Sequence, residues 1–312
     1  MNTAVPSERA KALVVGAYDL HVHIAPDVMQ RRITDLDLAP IFLARGLAGF
    51  GLKSHYFPTA ERAAVVNAAV PGFDAVGAIT LNSAVGGMNP IAVEMAARSG
   101  ARIVWMPTVD ARNHRENHDL PEGATPPMWM ELQRDLAEKG VEVPIVEILA
   151  PDGSLLPAVD AVLGRIAEHN LILATGHLSA TEIDRVVEGA VTAGVSRIIV
   201  THPEFPQQSL SIEQQLALVA KGALMERCLT TPLTGKCDWN DMFAAMRAVG
   251  IENNMVTTDL GQPHSPAVED GLPMMADAMS AAGFSDDEIH TIIVDNSRNL
   301  ALTATSLSNT ER

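Results

Sequence analysis

The residues able to do chemistry fall where apolar runs stop. The sharpest group is Asp19-Leu20-His21-Val22-His23, at the end of AYDLHVH. Side chains alternate along a strand, so positions 19, 21 and 23 are expected on one face, and two imidazoles two residues apart can reach one metal ion. His177 closes LILATGH, His202 closes RIIVTH and Asp259 closes NMVTTD. Each stands where an apolar strand gives way to a polar loop, and in a parallel barrel those positions gather at one mouth. Four histidines and one aspartate suit a borderline metal, zinc first and manganese second, with positions left open for water and substrate. The competing use of such residues is as hydrogen-bonding strand caps. No G-x-S-x-G nucleophile motif and no G-x-x-x-x-G-K-S/T loop is present.

The elements that must position these residues read as an alternation of short apolar runs with longer amphipathic or Ala-rich runs, which favours a parallel sheet. Eight strands are predicted, at 17–23, 47–55, 75–81, 102–109, 171–177, 197–202, 223–230 and 254–259. Thr59 is read as an N-cap, Asn89-Pro90 as a cap followed by a first-turn proline, and Ser179 with Glu182 as a capping box before a helix to about Ala193. Further helices are expected at 128–139, 210–221, 238–249, 265–282 and 286–304. Residues 110–150 interrupt the rhythm, with Pro121, Pro126 and Pro127, and VPIVEIL at 143–149 reads as a ninth strand outside the barrel. An excursion of that length after strand four is a natural lid. With no repeat, linker or low-complexity tract, residues 1–312 read as one α/β domain, a (β/α)8 TIM-type barrel.

The ordered motifs resemble the amidohydrolase superfamily, the metal-dependent hydrolases built on this barrel. The resemblance lies in Asp19-Leu20-His21-Val22-His23 at strand one, Gly176-His177 at strand five, Thr201-His202-Pro203 at strand six and Thr257-Thr258-Asp259 at strand eight. Asp295-Asn296-Ser297-Arg298-Asn299-Leu300 looks like the stretch that follows the barrel in many members. The resemblance implies metal ligation by His21, His23 and His177, a ligand or electrophilic role for His202, and Asp259 as a ligand that also takes a proton from metal-bound water. It departs at strand four, where many two-metal members carry a carboxylated Lys or a Glu. Here 102–109 supplies neither, so one ion or two stays open.

Strand two instead offers Lys53-Ser54-His55. Lys53 in an apolar run needs a partner or a lowered pKa. It either carries a carboxylate group and bridges two metals, or binds a substrate carboxylate or carbonyl, or pairs with an acid such as Asp19. His55, further out, is placed where substrate arrives. Arg112 and His114 are read as lid residues laid over substrate, with a solvated loop as the alternative; His264 could line the mouth. Glu226 is read as an acid holding a ligand histidine or pairing with Lys53, Cys228 as core, and Glu204 as a solvated loop acid. Asn82 to Asn89, after strand three, reads as a tight turn before a weak anion site.

Composition bounds the partners. Lys and Arg number 22 against 38 Asp and Glu, a formal net charge of −16, which argues against nucleic acid and anionic lipid. Two cysteines make no disulfide framework and no run is long enough to span a membrane. The expectation is a cytoplasmic, metal-dependent hydrolase of a small molecule, with metal-activated water attacking an amide, ester or lactone carbonyl. A homo-oligomer is compatible with it. The second reading is a one-metal decarboxylase or carbon–carbon bond hydrolase of the same superfamily; the third is a non-catalytic metal-binding barrel.

Overall fold

The computed structural model describes residues 5–117 and 128–303. His118 and part of the predicted lid lie outside the described residues. Eight parallel strands stand in sequence order: β1 (Tyr18–Val22), β2 (Gly49–Leu52), β3 (Asp74–Thr80), β4 (Ala101–Trp105), β5 (Ile172–Ala174), β6 (Ile198–Val200), β7 (Ala223–Cys228) and β8 (Asn254–Thr257). The β1–β8 seam is closed just past the strand ends. The Asp259 N–H donates to the His21 carbonyl at 2.8 Å and the His23 N–H to the Leu260 carbonyl at 2.8 Å. The result is the (β/α)8 barrel. Its interior is filled by Tyr18, Leu20, Val76, Ala78, Ile103, Trp105, Ile172, Ala174, Ile199 and Met255. Such layers of side chains make the barrel a solid core, leaving chemistry to the carboxyl ends.

The helices that cover the barrel follow their caps. Asn89 accepts the Ile91 and Ala92 N–H groups, and the Ser179–Glu182 capping box forms in both directions. Thr59 makes no side-chain cap. Its hydroxyl donates to the Leu52 carbonyl and stitches the helix start to β2. Helices at Asp35–Ala44 and Pro157–Glu168, which the sequence reading does not single out, complete the ring. The run at 143–149 is not a strand. It makes isolated bridges only, Ala111 to Val146 and Leu149 to Leu155.

One buried ion pair outside the barrel interior corrects the reading of Glu204. Its carboxylate binds the Arg227 guanidinium, and both side chains are almost fully enclosed. Arg227 also donates through Nε to Asn254 Oδ1 at 2.8 Å. Removing one partner of a buried pair leaves an uncompensated charge. Glu204→Ala should therefore cost about 3–5 kcal/mol in urea unfolding, whereas Glu204→Leu with Arg227→Met should recover most of it. Equal losses in the two variants would show that the pair is not the source.

Candidate metal centre

The site begins with an irregularity in β1. Its register against β2 shifts between Asp19 and Val22, so the strand carries an extra residue there. Tyr18 and Leu20 point into the barrel core. Past the bulge the inward face changes parity, and His21 and His23 both turn to the mouth. A bulge re-aims side chains in this way. Asp19 is thereby left off the histidine face, against expectation. It is bound by the Thr258 hydroxyl at 2.5 Å and the Thr258 N–H at 3.0 Å, and it pins the β1–β8 seam. Burial raises its pKa to about 7.

His21 Nε2 and His23 Nε2 both lie 3.2 Å from Asp259 Oδ1. These three donors fall within 4.8 Å of one another. Asp259 has a left-handed backbone, φ +53°, and His202 another, φ +29°. Non-glycine residues in that region carry strain that clusters at functional sites. The turn behind Asp259 depends on Gly261, φ +123°, where an added Cβ would lie 1.6 Å from the His23 carbonyl oxygen. Thr230 donates to the second Asp259 oxygen at 3.1 Å. Burial opposes ionisation of Asp259, but the contacts with His21 and His23 outweigh it and hold the carboxyl well below its usual range.

The two imidazoles differ behind the donor atoms. His21 Nδ1 faces Glu226 Oε1 at 3.1 Å, and the same oxygen accepts from Thr257 at 2.8 Å. A carboxylate behind a ligand histidine fixes its ring and raises its basicity. Of the two roles read for Glu226, the structure shows the first. His23 Nδ1 faces Arg31 at 3.3 Å, a guanidinium that can only donate. Burial, then Arg31, lowers the His23 pKa to about 3. His23 is therefore the weaker donor of the pair.

Lys53 is buried with Nζ 2.9 Å from His21 Nε2 and 3.9 Å from the centre of the Trp105 ring. Of the three uses read for it, the pairing with an acid such as Asp19 is not formed among the described residues. Burial lowers its pKa, against the pull of Asp259 and Glu226. His21 Nε2 can serve Lys53 or a metal, not both.

His177 and His202 lie across the mouth, their ring centres 5.0 Å apart, with His202 6.4 Å from His21. Neither belongs to the three-donor cluster. His202 Nδ1 is buried with no hydrogen-bond partner among the described residues. His114 does reach the site, with Nδ1 3.1 Å from His177 Nδ1. His55 stacks on His23 with centres 4.8 Å apart. Burial keeps His55, His177 and His202 well below the ordinary imidazole range, hence neutral near pH 7.

Arg112 is a correction. Its guanidinium faces outward and is paired with Glu147 and Glu116, so it does not cover the mouth. His264 is exposed. Cys228 is buried 3.7 Å from His21 Nδ1, a nitrogen already engaged by Glu226, and burial pushes its thiol up. It is core, as read.

The donor set fits a divalent cation. Two imidazole nitrogens and one carboxylate oxygen converge, a carboxylate supports the first imidazole, and an orphaned imidazole nitrogen stands opposite.

A family model for a family of unknown function, DUF6282, matches residues 16–226. The chain belongs to that family. The matched part of this DUF6282 member spans His21, His23, Lys53, His55, His177, His202 and Glu226; Asp259 lies beyond it. No curated protein sequence matches the chain significantly. Among solved structures, an amidohydrolase from Pseudomonas aeruginosa is 11% identical with a TM-score of 0.59, covering 95% of this chain and 98% of its own. A metallopeptidase, the dipeptidase AC, is 12% identical with a TM-score of 0.55, covering 92% and 98%. A 2,6-dihydroxybenzoate decarboxylase is 12% identical with a TM-score of 0.50, covering 91% and 98%. These likenesses bear out the fold, the (β/α)8 barrel that the sequence motifs suggest. No helix among the described residues is long and apolar enough to cross a membrane.

Proposed function

We propose that this chain is a metal-dependent hydrolase that cleaves an amide, ester or lactone of a small molecule. The carrying observation is the convergence of His21 Nε2 and His23 Nε2 on Asp259 Oδ1 at the barrel mouth. His21, His23 and Asp259 would hold the ion, zinc first and manganese second, with His177 and His202 on the facing side. A divalent cation so held lowers the pKa of water and polarises a carbonyl oxygen.

The residues do the rest. Asp259, fixed by Thr230 and by its own backbone turn, takes the proton of the attacking water as the carbon–oxygen bond forms. It then delivers that proton to the leaving nitrogen or oxygen as the scissile bond breaks. His202, neutral and with one unpartnered nitrogen, faces the oxygen that gains charge. Lys53 and His55 face substrate from β2. Glu226 keeps His21 in the tautomer that leaves Nε2 available.

A second reading has a specific observation behind it. β4 ends at Trp105 and brings no bridging acid or lysine, and the two donor groups among the described residues, His21–His23–Asp259 and His21–Glu226–Cys228, share His21. This supports a one-metal decarboxylase or carbon–carbon bond hydrolase, with Lys53 holding a carboxylate. Metal counting separates the two: two tightly held ions per chain weigh against this second reading.

The test is metal removal. Exhaustive dialysis against a chelator should abolish hydrolysis of a panel of small esters, lactones and amides, and zinc or manganese should restore it. Turnover unchanged in metal-free protein, checked by elemental analysis, would refute the proposal.

A further inference from the structure

The loop after β3 holds a device outside the proposed reaction. Asn82 is completely buried, and its orientation is fixed by its partners. Its Oδ1 accepts the Thr108 N–H at 2.8 Å and the Asp110 N–H at 3.3 Å. Its Nδ2 donates to the His55 carbonyl at 2.9 Å and to Thr108 Oγ1 at 2.7 Å. Thr108, also completely buried, thus receives one hydrogen bond and must place its own hydroxyl proton. The acceptor within reach is His55 Nδ1, 2.8 Å away. Hydrogen-bond accounting then leaves one arrangement, Asn82 N–H to Thr108 O–H to His55 Nδ1. The imidazole proton must sit on Nε2. That atom makes no hydrogen bond among the described residues, and His55 keeps a small exposed edge at the mouth.

We propose that Asn82 and Thr108 form a positioning relay that turns His55 Nε2–H into the mouth as a fixed donor for a carboxylate oxygen of the bound molecule. The relay joins the carboxyl ends of β2, β3 and β4, so the donor is held by three strands. An unspent donor in a water-poor pocket is a recognition element, since a ligand lacking the matching acceptor leaves it unpaired. A carboxylate is favoured over a neutral carbonyl by the company the donor keeps. Lys53 lies beside the neighbouring His21, and Lys236 sits 4.2 Å above the Phe205 ring, which itself packs on His202. Of the nearby acids, Asp259 is engaged by His21 and His23, and Glu226 is turned behind His21.

The inference rests on the proposed function only for where substrate sits, and the tautomer can be read without turnover. In protein labelled with 15N-histidine, long-range nitrogen–proton correlation should show His55 protonated on Nε2. Thr108→Ser should keep that pattern, and Thr108→Val should lose it. Acetate, malonate and benzoate should shift the His55 Nε2 signal, while acetamide and benzamide should not. His55→Phe should weaken the carboxylates by about tenfold or more. Wild-type His55 protonated on Nδ1, or Thr108→Val with an unchanged tautomer, would overturn the relay. Carboxylates that leave the His55 signal unmoved would overturn the recognition. Neither outcome depends on whether the metal-free protein has lost hydrolysis.

Discussion

Protein carrying His21→Ala together with His23→Ala should purify without bound metal and without hydrolytic activity. Each replacement removes one Nε2 from a three-donor set whose members lie within 4.8 Å of one another, and the single carboxylate left cannot hold a divalent ion by itself. Loss of a group behind a ligand already costs about 10–100-fold in metal affinity, so loss of two ligands should take occupancy below detection. The single variants should be unequal. His21 is backed by Glu226 and His23 by the Arg31 guanidinium, so His21→Ala should lower metal affinity more than His23→Ala. Elemental analysis of the three proteins, with circular dichroism to show an intact barrel, checks the order. A metal-free double variant with wild-type turnover would sink the reading of this site as a metal centre.

What is legible in the sequence, and what stays hidden, follows from where each interaction is encoded. The ends of β1, β5, β6 and β8 can be read because an apolar run stopping at His or Asp is a local signal. That signal places His21, His23, His177, His202 and Asp259 at one mouth. The bulge in β1 has no such signal. One extra residue between Asp19 and Val22 changes the inward parity, and strict alternation therefore puts Asp19 on the wrong face. Arg112 misleads for a related reason. Its partner Glu147 is 35 residues away, so a polar stretch that looks free to reach substrate is tied down at the surface. VPIVEIL has the composition of a strand but contains Pro144 and finds no ladder partner, so it stays a coil with isolated bridges. The Asn82–Thr108–His55 relay joins residues 26 and 53 positions apart. Only the closed barrel brings them together.

The largest effect on rate at constant metal content should come from Asp259→Asn. The substitution preserves shape: its one oxygen can keep the Oδ1 place towards the His21 and His23 nitrogens while its NH2, in the Oδ2 place, donates to the Thr230 hydroxyl, and Asn tolerates the left-handed backbone found here, φ +53°. It removes the one group at the mouth, among the described residues, that both faces the His21 and His23 nitrogens and can accept a proton. General-base contributions are typically about 10²–10⁴-fold, so turnover should fall by that factor while KM moves little. Asp259→Ala should do worse on metal binding, because it deletes a ligand oxygen and leaves the Thr230 hydroxyl without its acceptor. The comparison separates the two duties of this carboxylate. An Asp259→Asn protein that has lost turnover but kept its ion identifies the proton acceptor. If that variant retained full turnover, the proton would have to travel through another group, and the neutral His202 and His177 across the mouth would be the residues to replace next.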